Sequence, residues 1–160
     1  MSEFVQRFAS TPERAALLRN FKSYRDAIRD IGIIRGIQWI DGSFVEACEA
    51  LKSRAPDDID VVSAFHRPEN QVEHAAWQEF FQTHRPTLFD RQYCKNTYSC
   101  DAYYVDLDIP SQLIVEQTAY WFGVFSHQRV TFQWKGLVQL NLQCDDDEAM
   151  ELLAEIEAGW

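Results

Sequence analysis

Two aspartates separated by one residue, Asp58 and Asp60, open the apolar run "DIDVVSAF". On a strand, residues i and i+2 share a face, with Cα atoms roughly 6 to 7 Å apart, so both carboxylates can converge on one hard cation. Mg²⁺, or Mn²⁺ in its place, suits such an edge because it takes oxygen ligands at ~2.1 Å and keeps positions for water or phosphate. A third carboxylate from a neighbouring strand would allow two ions, the arrangement that stabilises attacking and leaving oxygens in phosphoryl transfer. Upstream, Gly42-Ser43 ends another apolar run, "IIRGIQWI" followed by Asp41. Gly42 has no Cβ, so a phosphate can approach its backbone, and Ser43 stands where a following helix would leave N–H groups unpaired. The bland alternative is that Ser43 caps a helix with Glu46 closing an S-x-x-E box, and that the aspartates are solvated at a strand's start.

The ordered stretch "WIDGSFVEACEALKSRAPDDIDVV" resembles the signature of the nucleotidyltransferase superfamily related to DNA polymerase β, written h-G-[GS], a spacer, then D-h-[DE]-h. The spacer, Phe44 to Asp57, has 14 residues. "CDAYYVDLD", "YWFGVFSHQR" and "WKGLVQLNL" are similar to segments of an uncharacterised bacterial group of short nucleotidyltransferase-like proteins. The resemblance implies a mixed sheet flanked by helices, with Asp58 and Asp60 as catalytic metal ligands and Gly42-Ser43 at the phosphates of a nucleoside triphosphate such as ATP. It also implies a third acid on an adjacent strand. Asp101, Asp106 and Asp108 are available, and alternation puts Asp101 on one face with Tyr103 and the other two on the opposite face with Tyr104. Asp101, at the strand's opening, is favoured over Asp106. The chain departs from active minimal members in having Phe44, Val45 and Glu46 where an arginine often follows the Gly-Ser pair. Lys52, Arg54 or another segment would then supply the positive charge.

The activity so implied is transfer of a nucleoside monophosphate to an acceptor hydroxyl on a protein, a small molecule or an RNA end. The alternative is a non-catalytic, antitoxin-like module that keeps the fold to bind a partner protein such as a toxin. Elsewhere, His66-Arg67 can border the site or lie in a solvated loop, and Lys135-Gly136 can be a plain turn or bring a lysine to a triphosphate. Tyr120, Trp121 and Phe122 are consecutive, so they cannot share one helical face. His74 and His84 have the wrong spacing for a shared face, and His127 and Arg129 follow a helix end where cations are favoured by the dipole.

These groups need a scaffold. At 160 residues with 46% apolar content, the chain is expected to fold as one domain, 1–160, with the motif core over about 33–108. A net charge of −10 disfavours long DNA as a partner. Cys48, Cys94, Cys100 and Cys144 show no C-x-x-C spacing, so reduced, partly buried thiols are expected. A charged N-terminus and the absence of any ~20-residue apolar run point to no membrane and a cytoplasmic location. The pattern predicts helices over Pro12–Asp30, Phe44–Lys52, Gln71–Gln82, from Ser111 through Phe125, and from Asp145 into "DDEAMELLAEIEA". Strands are predicted at Ile33–Ile40, Asp58–Phe65 and Cys100–Asp108, and "RVTFQW" with "LVQLNL" reads as a hairpin. The class is α/β or α+β around a mixed sheet.

Overall fold

The computed structural model describes residues 1–128 and 131–160. β-branched and aromatic residues build four strands: β1 (Gly36–Asp41), β2 (Ile59–Phe65), β3 (Cys100–Asp106) and β4 (Val138–Asn141). They form one sheet in the order β3-β2-β1-β4, with β2 and β3 parallel and the other pairs antiparallel. Helices flank it: α1 (Ser2–Phe8), α2 (Pro12–Asp30), α3 (Cys48–Lys52), α4 (His74–Leu88), α5 (Arg91–Tyr98), α6 (Ser111–Phe125) and α7 (Asp146–Ala158). The architecture is thus a mixed α/β sheet flanked by helices, as expected.

Strand alternation divides the core in two. Ile40, Ile59, Val61, Phe65, Cys100 and Ala102 face a large apolar cluster shared with α1, α2 and α7, whereas Val62, Ala64 and Val105 face Trp121 and Phe125 of α6. α2 has the strongest local signals. Thr11 accepts from the Arg14 N–H at 3.3 Å, Pro12 stands in the first turn, and Leu18, Phe21, Tyr24 and Ile28 are buried at helical spacing. Gly32, at φ +90°, stops it.

Several boundaries differ from expectation. α4 begins at His74 rather than Gln71, because Glu69–Gln71 closes a 3₁₀ turn, and it runs through Pro86. Pro86 costs the helix one backbone donor, while Trp77, Phe81 and Phe89 pack as linked rings (Trp77–Phe81 6.0 Å, Phe81–Phe89 4.9 Å). α1 and α5 lay outside the predicted elements. The Asp145 carboxylate caps nothing in α7, binding instead the Met1 ammonium and the Ser2 N–H. Arg129 and Val130 of the expected hairpin lie outside the described residues. Of the described remainder of "RVTFQW", Trp134 makes an isolated bridge to His127, while β4 pairs with β1 from Ile37↔Asn141 to Ile40↔Val138. No helix among the described residues is long and apolar enough to cross a membrane.

Candidate functional site

β1, β2 and β3 each carry an aspartate at the same level. Asp41 pairs with Asp60, and Asp60 pairs with Asp101, so the three carboxylates stand in one row across the sheet. In-register neighbours put side chains on the same face, about 5 Å apart from strand to strand. The next rows on that face are Trp39, Val62 and Tyr103, then Ile37, Ala64 and Val105. Asp58 immediately precedes β2 and extends the acidic edge.

The turn after β1 is tied to this row. A Cβ on Gly42 would fall 1.7 Å from Asp60 Oδ2, and Gly42 has φ +79°, so only glycine fits. The space that the missing side chain leaves is thus taken by Asp60. The expected helix over Phe44–Lys52 is split into a 3₁₀ turn, Gly42–Val45, and the five-residue α3. Arg14 of α2 explains the break, because its guanidinium takes the carbonyls of Phe44 (2.6 Å) and Glu46 (2.8 Å) and the Glu49 carboxylate. Ser43 and Glu46 therefore form no capping box, and no helix N-terminus stands at Ser43. Ser43 contributes its carbonyl to the Glu46 N–H at 3.3 Å.

Asp41, Asp58 and Asp101 each meet a cation from elsewhere in the chain. Arg91 of α5 binds both oxygens of Asp101, Nη2 at 2.6 Å from Oδ2, and also lies over the Tyr103 ring at 5.1 Å. Lys95, one turn later, pairs with Asp58. Lys135 Nζ lies 3.0 Å from both Asp41 and Glu46. Lys135 therefore supplies the positive charge at the Gly-Ser turn that Lys52 and Arg54 were candidates to bring. Lys52 joins it only through Glu46 at 3.1 Å, and Arg54 pairs with Asp57. Burial pushes Glu46 up, but the two lysines outweigh it and hold the group below the usual carboxylate range. Burial raises Asp41 above its ordinary value despite Lys135. Its Oδ1 is buried without a hydrogen-bond partner among the described residues.

The two other candidates, Asp106 at the end of β3 and Asp108 in the turn just past it, stand elsewhere. Asp106 faces the other side and binds Arg67 at 2.8 Å, and Asp108 accepts from the Arg67 N–H at 2.8 Å and pairs with His66. His66 and Arg67 follow the far end of β2, away from Asp60. Trp121 is buried, while Tyr120 and Phe122 are exposed.

The donor set, oxygen only and carboxylate throughout, fits Mg²⁺ or Mn²⁺ by type. Yet among the described residues no three His, Cys, Asp or Glu side chains converge closely enough to hold a metal as they stand. Asp41, Arg91 and Lys95 were not among the predicted site residues, and Lys135 was open between a plain turn and a triphosphate contact. The adjacency of Asp41 to Gly42 and the i, i+4 spacing of Arg91 and Lys95 were the available signals.

No curated protein and no solved structure matches the chain. A family of unknown function, DUF6932, matches it over residues 1–141. That span takes in the aspartate row, the Gly42 turn, α5 and Lys135, and the chain belongs to the DUF6932 family.

Proposed function

We propose that the chain is a Mg²⁺- or Mn²⁺-dependent nucleotidyltransferase that moves a nucleoside monophosphate from a nucleoside triphosphate to an acceptor hydroxyl. The observation that carries this reading is the in-register row of Asp41, Asp60 and Asp101, with an Asp41 oxygen that is buried and has no hydrogen-bond partner among the described residues, and the Gly42 turn packed against Asp60. Asp58, Asp60 and Asp101 would hold the ion, which supplies neutralisation of phosphate charge and acidification of the acceptor hydroxyl. In the transfer, the acceptor oxygen bonds to the α-phosphorus, the bond from that phosphorus to the bridging oxygen breaks, and pyrophosphate leaves with the electron pair. The hydroxyl proton passes to solvent. Lys135, held at the turn by Asp41 and Glu46, is placed to meet phosphate charge. The acceptor is to be sought among proteins, small alcohols and RNA ends. Incubation with each labelled nucleoside triphosphate, Mn²⁺ and cell extract should give labelled product with wild type and none with Asp60→Asn. Equal labelling by the two would sink the reading.

A second reading, a partner-binding module of the antitoxin kind, is favoured by α6. Val115, Tyr120 and Phe122 are 67%, 62% and 51% exposed. Glu116 is the only charged residue on that helix. If this reading holds, wild type transfers no label. Binding to a co-purified partner then survives Asp60→Asn and is lost in Tyr120→Ala/Phe122→Ala.

A further inference from the structure

The acids of the site and their counter-ions differ in how firmly they are held. The Asp101 and Asp58 side chains are 5% and 14% exposed, whereas those of Arg91 and Lys95 are 59% and 46% exposed. The carboxylates are anchored at the strand ends. The cations reach them on long stems that are about half in water, from one face of α5. That helix is fixed independently, by Asp90 accepting from the Tyr93 N–H at 2.7 Å and by burial of Cys94. It can therefore stay in place while the two heads swing. Carboxylates gathered at one sheet edge repel, and two positive charges from a single helix relieve that repulsion. A divalent cation entering the edge needs the same oxygens.

Taking the site as proposed above, we infer that Arg91 and Lys95 are exchangeable counter-ions, which hold Asp101 and Asp58 until a divalent cation takes those oxygens and then bind the phosphates of the incoming triphosphate. The guanidinium fork that grips both Asp101 oxygens matches a phosphate equally well. The Tyr103 ring beneath Arg91 offers a surface on which the head can turn.

The exchange makes one pair of substitutions act with opposite signs on two ligands. Mn²⁺ alone, and then inorganic triphosphate in saturating Mn²⁺, are titrated by calorimetry into wild type and Arg91→Gln/Lys95→Gln. The variant should bind Mn²⁺ about tenfold more tightly, because no internal cation competes, and triphosphate about tenfold more weakly. Unchanged or weaker Mn²⁺ binding, or unchanged triphosphate binding, overturns the exchange. Should the double variant fail to fold by circular dichroism, Lys95→Gln, whose head is half exposed, carries the same two-sign test. Equal Mn²⁺ affinity in both proteins removes the exchange and leaves the metal site. No Mn²⁺ binding to either protein removes the metal site, and the exchange with it.

Discussion

Two clusters in this molecule join arginine to aspartate, and they are built in opposite ways. At the first, Arg25 is fully buried and Asp146 is 4% exposed. The guanidinium binds both Asp146 oxygens (2.8 and 2.9 Å), Gln38, and the carbonyls of Asn141 and Leu142. Gln38 passes the network on to Ser63 at 2.9 Å, so α2, β1, β2 and α7 are tied through one side chain. At the second, Arg91 covers Asp101 from the solvent side and has most of its surface in water. A buried, fully bonded pair cannot lose a partner without stranding a charge, whereas an exposed head exchanges its partner for water at little cost. The first cluster fixes the fold and the second leaves its acid available.

Substitutions should separate the two clusters sharply. The largest effect is expected from Arg25→Ala, which leaves the buried Asp146 with only Arg29 and the Cys144 thiol among the described residues and should lower stability by about 3–5 kcal/mol in urea unfolding. A loss under about 1 kcal/mol, the range of an exposed pair, would erase the distinction. Next comes Gly42→Ala. Its Cβ would meet Asp60 Oδ2 at 1.7 Å on a backbone of positive φ. A cost of about 1–3 kcal/mol is expected from the strain, together with loss of Mn²⁺ binding as Asp60 is displaced. Retained Mn²⁺ affinity in a folded Gly42→Ala would show that Asp60 takes no part in the site.

Arg91→Ala should be milder than either, within about 1 kcal/mol in the same unfolding assay, since its head is mostly solvated. A loss comparable to that of Arg25→Ala would mean the second cluster is also a lock. The smallest effects lie in the pH dependence. Burial raises the Asp146 carboxyl but Arg25 outweighs it, holding the group below its ordinary value. Its contribution is present above the unfolded carboxylate value of ~3.9 and fades as pH falls through the depressed folded value. Asp41 is shifted the other way by burial, so its cost appears as pH rises from ~3.9 through the raised folded value. Asp146→Asn should therefore flatten the acid arm of a stability profile, and Asp41→Asn the arm above it. Parallel profiles for wild type and Asp41→Asn would remove the assigned burial cost.

Sequence alone determined the elements whose signals are local. Thr11-Pro12 with a helical apolar stripe placed α2 at its observed bounds, and the β-branched run after Asp58 placed β2 to within a residue, because capping and periodicity act over a few neighbours. Alternation likewise separated Asp101 from Asp106 before any strand was paired. The short α1 and α5 were not legible, since seven or eight residues carry too little periodicity to stand apart. Only the tertiary structure decided the rest. Cross-strand register aligned Asp41 with Asp60 and Asp101, and β4 took β1 as its partner. Packing of Arg14 against the Phe44 and Glu46 carbonyls turned an apparent capping box into a 3₁₀ turn. Lys135 met Asp41 and Glu46 from 94 and 89 residues away along the chain. Contacts between such distant segments depend on how the sheet closes, which no short stretch of sequence encodes, so Asp58, Asp60 and Asp101 could be named from the chain while Asp41 and the counter-ions Arg91 and Lys95 could not.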